Sequence, residues 1–522
     1  MKVVSTAKMR ELDKRAMEEG GIEGEELMEQ AGLGAARVVE RLASRIGLSS
    51  PLVHVFAGRG NNGGDGFAVA RILREDGMDV NVWVAADRDQ IKGDALKHLG
   101  RMKTAGIKPG WMPTIEEWRD GDGRGAWEAD IAVDSLLGIG VSGPPRGPVA
   151  GAIGYVNNLG RHCPVVAVDV PSGLNADTGS AEGEAVRADV TVTMAWPKAG
   201  LAAPQAVNYT GNIEVADIGI PSGYIEGIDS EVELITAAEL ADLTGRRPRD
   251  VHKGVYGHAL LIGGSRGYAG AMGMAGASAM RSGCGLVSLL VPESIAQTVA
   301  AMSPECMVHG GKETAEGVLT GNCVEACPLN PDEFDAVLIG PGMRATEGTA
   351  RIVEKLLGAE GCPVVADADA LNICAGRPEI LAGSPRELIL TPHPGEMAGL
   401  TGKETSEIQA DRMKSARSLA EETGKIVVLK GAATIVARHD APLNVNTTGN
   451  PGMASGGTGD VLGGVLAGLA AQGLALFDAA RLGVFLHGRA GDNAAWRSSQ
   501  SGITAGDLIS EIPFAIKEIG GM

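Results

Sequence analysis

The sequence predicts an α/β protein with two doubly wound domains. Short runs of Val, Ile, Leu and Ala alternate with segments of helical length along all 522 residues. Most of these runs are apolar throughout, which is typical of strands buried on both faces of a parallel sheet. The pattern breaks at residues 221–229, where Pro and Gly mix with polar residues. We therefore expect two domains, residues 1–228 and 229–522, each long enough to bury a core.

The apolar runs that predict strands are spread over both domains. In the first domain they cover residues 52–57, 79–85, 130–134, 164–169 and 189–194. In the second domain they cover residues 258–262, 286–291, 334–339, 363–366, 387–390 and 425–429. Segments such as 67–75 and 406–423 have helical length. This alternation favours parallel sheets with helices on both faces.

Composition and charge exclude several classes of protein. Hydrophobic residues make up 44% and charged residues 21%, as in globular proteins, and the 77 glycines follow no G-X-Y period. The balance of 46 basic against 65 acidic side chains gives a net charge of −19, which disfavours general binding to nucleic acids or anionic membranes. The apolar stretch 461–477 contains four glycines and Gln472, so it predicts a buried helix rather than a membrane span. The N-terminus is charged and lacks a signal segment, and the seven cysteines are interpreted as packed, reduced thiols of a cytoplasmic protein.

A glycine-rich segment follows the first predicted strand. Residues 58–66 read GRGNNGGDG and precede a helix. Glycines let a ligand approach the backbone, and the helix N-terminus adds a positive dipole, a combination that binds phosphates. Asp134 and Asp169 end two later strands, and each leads into another glycine-rich loop, at 136–144 and 170–179. Because ligands bind at the carboxyl ends of parallel strands, these three loops are expected to converge on one site.

The segments GRGNNGGDG, VDSLLGIGVSG and AVDVPSGL resemble the YjeF N-terminal domain family, the NAD(P)H-hydrate epimerases, over residues 1 to 220. The resemblance implies a Rossmann-like three-layer α/β/α domain in which Asp169 contacts the substrate and transfers a proton. It also implies a potassium ion held by Asn62, Asp134 and Ser172. It assigns the hydrated dinucleotide to Asn61, Asn62, Gly63, Gly64, Asp65, Gly138, Ile139, Gly140, Val141, Ser142, Gly143, Pro144 and Asp169. Gln30 and Ile139 stand where the family usually has Asn and Thr.

The most specific motif of the second domain is NPGMASGGTGD at residues 450–460, directly before the apolar stretch. The backbone N–H groups of Gly457, Thr458 and Gly459 are expected at a helix N-terminus, where they form an anion hole for a phosphoryl group. Asp460 follows them, so its carboxylate can accept a proton from an attacking hydroxyl. Lys430 ends a predicted buried strand beside a glycine, where its ammonium can reach phosphates.

This motif resembles the ribokinase-like superfamily. Segments such as DADALN at 367–372, TPHPGE at 391–396 and KGAAT at 430–434 narrow the resemblance to the ADP-dependent NAD(P)H-hydrate dehydratases, over residues 230 to 520. It implies a ribokinase-like α/β domain that uses ADP as phosphoryl donor and Mg²⁺ as cofactor. It assigns the hydrate to Ala271, Gly342, His393 and Asp460, and the adenine nucleotide to Lys430, Gly431, Ala432, Ala433, Thr434 and Gly459. Asp367 and Asp369 are interpreted as either magnesium ligands or turn formers.

The two resemblances together imply an enzyme that repairs hydrated NADH and NADPH. The first domain would interconvert the R and S forms of NAD(P)HX, and the second would dehydrate the S form at the expense of ADP, giving AMP and phosphate. The alternative is a small-molecule kinase, for example of a vitamin precursor, fused to a non-catalytic nucleotide-binding scaffold. The expected partners are NADHX, NADPHX and ADP, without nucleic acid or membrane, and the chain is expected to form a homo-oligomer.

Overall fold

The computed structural model describes residues 1–120, 128–140, 143–326 and 329–520. These residues form two compact units, Met1–Leu234 and Ile235–Met522. The boundary predicted near residue 228 lies among the last residues of the first unit. Both units are α/β and contain a mainly parallel sheet, which confirms the predicted fold class.

The strands and helices of the first unit alternate along the chain. Over its described residues the strands are β1 (Leu52–Ala57), β2 (Asp79–Val84), β3 (Gly110–Trp111), β4 (Ile131–Ser135), β5 (Val165–Val168), β6 (Val190–Met194), β7 (Asn212–Ala216) and β8 (Val232–Leu234). The α-helices over the same residues are α1 (Thr6–Glu18), α2 (Gly24–Arg45), α3 (Asn61–Glu75), α4 (Gly93–Thr104), α5 (Ile115–Asp120), α6 (Gly147–Leu159) and α7 (Val207–Thr210). The first seven strands pair in parallel in the order β3-β2-β1-β4-β5-β6-β7.

The helices of the first unit cover both faces of its sheet. A Cβ placed on Gly66 of α3 would lie 3.4 Å from the Val55 side chain of β1. The ring of Phe56, the next residue of β1, lies 5.7 Å from the ring of Tyr155 in α6. Because successive strand residues point to opposite faces, α3 and α6 lie on opposite sides of the sheet, which gives the expected three layers. The strand order reverses at β1, between β2 and β4, and a crevice forms there at the carboxyl ends of the strands.

The glycine-rich segment 58–66 was predicted to precede a helix, but most of it belongs to that helix. Helix α3 begins at Asn61, so the NNGGD residues form its first turns rather than a loop before it. A Cβ at Gly63 would lie 2.0 Å from the carbonyl oxygen of Gly58, so only a glycine lets the helix start this close to the end of β1. The amide and carboxyl side chains of this segment are therefore presented from a helix.

The second unit repeats the alternation on a larger scale. Its described strands are β9 (His258–Ile262), β10 (Leu286–Pro292), β11 (Met307–Gly311), β12 (Ala336–Ile339), β13 (Val364–Ala366), β14 (Leu388–Leu390), β15 (Ile426–Leu429), β16 (Thr434–Ala437) and β17 (Leu443–Asn446). Its described α-helices are α8 (Ala237–Leu240), α9 (Ala269–Arg281), α10 (Glu293–Met302), α11 (Cys323–Ala326), α12 (Glu347–Gly358), α13 (Asp369–Cys374), α14 (Glu379–Ala382), α15 (Pro394–Thr401), α16 (Thr405–Ala410), α17 (Arg412–Thr423), α18 (Thr458–Ala471), α19 (Leu476–Arg497) and α20 (Ala505–Ile519).

The sheet of the second unit runs in the order β11-β10-β9-β12-β13-β14-β15-β16-β17. The strands from β11 to β15 in this order are parallel, whereas β15, β16 and β17 pair antiparallel. The predicted strands of both units are present with small shifts at their ends, but the segment predicted as one helix at 406–423 divides into α16 and α17 at Asp411.

Residues 461–471 of the apolar stretch are buried as predicted, but the stretch 461–477 is not a single helix. Helix α18 ends at Ala471, and α19 begins at Leu476 after Gly473, whose φ is +84°. Within the residues described, no helix is both long and apolar enough to span a bilayer. The described cysteines are free thiols, and all except the half-buried Cys362 are buried; Cys327 lies outside the described residues.

Candidate active sites

A cavity of about 1230 Å³ opens in the first unit at the carboxyl ends of β1, β4 and β5. The three glycine-rich loops were expected to converge at this position. Its walls include most of the residues assigned to the hydrated dinucleotide, namely Asn61, Asn62, Asp65, Gly138, Ile139, Gly140, Gly143, Pro144 and Asp169. Gly63 and Gly64 are buried behind the wall, against Gly58 and Met28. Val141 and Ser142 lie outside the described residues.

The three residues assigned to potassium meet around the start of the loop after β4. The fully buried Asp134 carboxylate accepts hydrogen bonds from the Ser172 hydroxyl at 2.6 Å and the Ser172 N–H at 2.8 Å. Burial raises the pKa of Asp134 to about 6, although these hydrogen bonds oppose the rise. Asn62 Nδ2 donates to the Leu137 carbonyl at 2.7 Å, and Asn62 Oδ1 is buried with no hydrogen-bond partner among the described residues. Within the described residues, Asn62 Oδ1 is therefore a buried oxygen that no hydrogen-bond donor satisfies.

The carboxylate of Asp169 is paired with a lysine that the sequence analysis did not identify. Lys198 is 1% exposed, and its Nζ lies 2.5 Å from Asp169 Oδ1. The same ammonium donates to Thr193 Oγ1 and to the Met194 carbonyl, both at 3.1 Å. Asp169 itself adopts a left-handed backbone conformation, with φ +67°. The arrangement fixes one buried ion pair at the floor of the cavity.

Two further carboxyl groups face this ion pair. Asp13 of α1 and Asp65 of α3 both line the cavity, and no described residue hydrogen bonds to either carboxyl. Burial and repulsion from Asp169 raise the pKa of Asp13 to about 6 against the attraction of Lys198. Burial and the charges of Asp169 and Asp13 raise the pKa of Asp65 well above its ordinary value. Asp13 was also missed by the sequence analysis.

The second unit concentrates charge around Lys430, which follows β15. Its Nζ lies 2.6 Å from Oδ1 of the buried Asp367 and 3.7 Å from Oε2 of Glu396. Asp367 also accepts a hydrogen bond from the Thr391 hydroxyl at 2.7 Å. Burial alone would lower the pKa of Lys430, but the carboxylates of Asp367, Glu396 and Asp460 outweigh it and raise the pKa. Asp367, Thr391 and Lys430 follow the adjacent strands β13, β14 and β15, so the sheet brings them together.

The N-terminus of α18 faces this cluster. A Cβ placed on Gly459 would lie 3.7 Å from Lys430 Nζ. Asp460 stands in the first turn of α18, and burial with repulsion from Asp367 raises its pKa to about 6 against the attraction of Lys430. Gly457, which precedes the helix, has φ +94°, and a Cβ there would lie 2.5 Å from the Met274 side chain. The predicted anion hole, base and lysine are therefore adjacent.

His393, which the resemblance assigns to the hydrate, caps the N-terminus of α15. Its Nδ1 accepts hydrogen bonds from the N–H groups of Gly395 at 2.9 Å and Glu396 at 3.2 Å. The Glu396 carboxylate in turn accepts from the His393 N–H at 2.7 Å. Burial raises the pKa of Glu396, although Lys430 opposes the rise. Nε2 of the exposed imidazole lies 3.4 Å from Glu396 Oε1, and the same carboxylate links the cap to Lys430.

The other predicted dehydratase residues lie in neighbouring loops. A Cβ on Gly342 would lie 3.2 Å from Cβ of Ala271. The loop from β15 to β16 consists of Lys430, Gly431, Ala432 and Ala433. The hydroxyl of Thr434, the first residue of β16, donates to the Gly431 carbonyl at 2.8 Å. The carboxylate of Asp369, the first residue of α13, accepts a hydrogen bond from the Arg344 N–H at 2.8 Å. In the part of the chain that the structure describes, no three His, Cys, Asp or Glu side chains are grouped to hold a metal ion.

Comparisons with known proteins match a large part of each unit. A family model described as the N-terminus of YjeF-related proteins matches residues 24–200, and one described as NAD(P)H-hydrate dehydratase matches residues 259–514. The dehydratase of Bacillus subtilis described as ADP/ATP-dependent is 32% identical, covering 55% of this chain and 99% of that chain with a TM-score of 0.49.

Full-length relatives carry both halves. The bifunctional NAD(P)H-hydrate repair enzyme Nnr of Moorella thermoacetica is 40% identical over 99% of this chain and 97% of its own length. The enzyme of the same description from Escherichia coli is 36% identical over 88% of this chain and 84% of its own length. The chain therefore belongs to the family of bifunctional NAD(P)H-hydrate repair enzymes.

Proposed function

We propose that the first unit interconverts the R and S forms of NADHX and NADPHX, and that the second dehydrates the S form at the expense of ADP. The observation that carries the proposal is the placement of Asp460 in the first turn of α18, beside the Lys430 cluster. Full-length relatives described as bifunctional repair enzymes support both activities over the alternative of a kinase with a scaffold domain.

The dehydration follows from the chemistry of the C6 hydroxyl. Hydroxide is a poor leaving group, whereas a phosphate ester leaves readily. Asp460 accepts the hydroxyl proton, the C6 oxygen attacks the β-phosphate of ADP, and AMP departs. Lys430 and the backbone N–H groups at the start of α18 bind the charged phosphoryl oxygens. The lone pair of the ring nitrogen then expels phosphate from C6, and loss of a proton from C5 restores the double bond of NAD(P)H.

Potassium in the first unit is proposed on Asn62, Asp134 and Ser172. Their amide, carboxylate and hydroxyl oxygens are hard donors of the kind that alkali cations prefer. The buried Asn62 Oδ1, which no described residue hydrogen bonds to, and the fully buried Asp134 carboxylate fit a monovalent cation at this position. When bound, the ion would supply a fixed positive charge beside the loop after β4.

Magnesium in the second unit is proposed to arrive with the nucleotide. The described carboxylates do not form a group of three that could cage a metal ion. Mg²⁺ commonly retains waters and binds through one or two carboxylates together with substrate phosphates. Asp367 and Asp460 are the carboxylates beside the proposed phosphate position, whereas the Asp369 carboxylate accepts a hydrogen bond from the Arg344 N–H. The bound ion would neutralise phosphate charge.

The function is tested by incubating the full chain with an equal R/S mixture of NADHX and ADP. Absorbance at 340 nm reports restored NADH, and chromatography reports AMP. We expect the whole mixture to be repaired, with one AMP formed for each NADH. Repair that stops once the S form is consumed would contradict the epimerase assignment. A stable phosphorylated product formed with ATP, without NADH, would instead support the kinase alternative.

The potassium proposal predicts a cation-dependent epimerase. After dialysis into a tetramethylammonium buffer, R/S interconversion without ADP is expected to fall at least about tenfold and to recover on addition of KCl. Asn62→Ala is expected to raise the KCl concentration required for half-maximal activity, because it removes the orphaned oxygen. Asn158→Ala, at an exposed position in α6, is the matched control. Equal rates with and without potassium would contradict the proposal. Chiral chromatography of the two epimers provides the measurement.

A further inference from the structure

We propose that Asp13, Asp169 and Lys198 form the acid–base group of the epimerase site. Asp169 is the base, Asp13 is the acid, and Lys198 is a positioning residue that holds the Asp169 carboxylate in place. The inference rests on the proposed epimerase function and adds two residues to it. Asp13 lies outside residues 24–200, the segment matched by the YjeF family model.

The three residues reach one cavity from separate parts of the chain. Asp13 comes from α1, Asp169 follows β5, and Lys198 follows β6, and all three line the same walls. The Lys198 ammonium lies 2.5 Å from Asp169 Oδ1 and is held by Thr193 and the Met194 carbonyl. With three oxygen partners and almost no exposure, the ammonium is fixed, so Asp169 is fixed with it. Asp13 has no hydrogen-bond partner among the described residues and remains available to substrate.

The electrostatics suit two carboxyl groups with different tasks. The charged groups that face Asp13 from other elements are Lys198, Asp169 and Asp65. Asp177 accepts hydrogen bonds from Thr6 of α1, which lies nearly two turns from Asp13. Asp169 is paired directly with the lysine, whereas burial and repulsion from Asp169 raise the pKa of Asp13 to about 6. A carboxyl group with that pKa exchanges protons readily near neutral pH, as a general acid requires.

The C6 carbon of the hydrate is a hemiaminal, and its inversion requires both a base and an acid. Asp169 removes the proton of the C6 hydroxyl, and the O–H electron pair forms a C=O bond. The C6–N1 bond breaks, its electron pair goes to N1, and N1 takes the proton from Asp13. The open aldehyde rotates about the C5–C6 bond and closes by the reverse steps on its other face. The oxidation state is unchanged, and no co-reactant is required.

The test measures R/S interconversion of NADHX by the full chain without ADP. Asp13→Asn is expected to lower kcat about 100-fold with KM within about threefold of the wild-type value. Since the acid must carry its proton, wild-type kcat is expected to fall as pH rises through about 6. The kcat of Asp13→Asn is expected to show no such fall over the same pH range. Asp13→Glu is expected to recover part of the rate. Lys198→Met is expected to lower kcat far more than it changes KM, and Lys198→Arg to retain more activity than Lys198→Met.

Glu11→Gln is the control, since Glu11 is exposed on the same helix and pairs with Lys8. A rate within threefold of wild type for Asp13→Asn, with the pH limb retained, overturns the proposal. A loss that lies entirely in KM also overturns it, because it would make Asp13 a binding residue. If the wild-type chain itself does not interconvert the epimers, the proposed epimerase function fails, which is a different result.

Discussion

Asp460→Asn is expected to lower dehydration of the S hydrate by about 10³-fold in kcat, while R/S interconversion by the same chain continues. The asparagine keeps the shape of the side chain but cannot accept the C6 hydroxyl proton. Because Lys430 and the N–H groups of α18 remain, KM for ADP is expected to change little. The readouts are 340 nm absorbance with ADP, and chiral separation of the epimers without it.

A matched control exists on the next helix. Asp478 is the third residue of α19, as Asp460 is of α18, and it pairs with Arg481 at 3.2 Å. Asp478→Asn therefore removes a carboxylate from the same position of a helix without touching the Lys430 cluster. Its dehydration rate is expected to match that of wild type. A near wild-type rate for Asp460→Asn would contradict the assignment of the base.

Asp460→Asn is also expected to stabilise the second unit above pH 6. Burial and Asp367 raise the pKa of Asp460 to about 6 in the folded chain, so the folded state binds a proton more tightly than the unfolded state. Stability that depends on this proton is present at low pH and lost as pH rises through about 6. After allowance for partial exposure, the gain at pH 7.5 is about 2 kcal/mol, and it vanishes near pH 4. Urea unfolding at the two pH values measures it.

Most of the parallel strands were predictable from the sequence because a strand that is buried on both faces is a continuous run of apolar residues. Strand β17, which reads LNVN, was missed because buried polar residues interrupt its apolar pattern. The glycine-rich segment of the first unit was placed in a loop because glycine is a poor helix former. The close approach of Gly63 to Gly58, visible only in three dimensions, overrides that preference.

Some of the site residues were also predictable from a sequence pattern, whereas others are revealed only by the tertiary fold. Asp134, Asp169 and Lys430 were found because a polar residue at or directly after the end of a buried strand marks the carboxyl end of a sheet. Lys198 comes four residues after β6, so extending the rule into the next loop would have found it. Asp13 gives no such signal, because it lies in an ordinary charged helix and only the tertiary fold brings it to the cavity.

Lys430→Met is expected to remove dehydration by at least about 10³-fold and to destabilise the second unit by about 3 kcal/mol. The substitution takes the cation away from phosphate and also from Asp367 and Glu396, which are nearly fully buried. A buried carboxylate without its partner responds by binding a proton, so the pKa of Glu396 rises further. Lys414→Met, at an exposed position of α17, is the control.

The pH dependence distinguishes this account of Lys430 from a purely local packing defect. Since the folded state of Lys430→Met binds protons more tightly than the unfolded state, its stability is expected to fall as pH rises. The deficit relative to wild type is therefore larger at pH 8 than at pH 5. The local loss of stability is measured by amide hydrogen exchange in β13, β14 and β15. Asp367, Thr391 and Lys430 directly follow these three strands. A deficit that is equal at both pH values would indicate lost packing of the lysine stem, and the carboxylate pairing would then contribute nothing measurable.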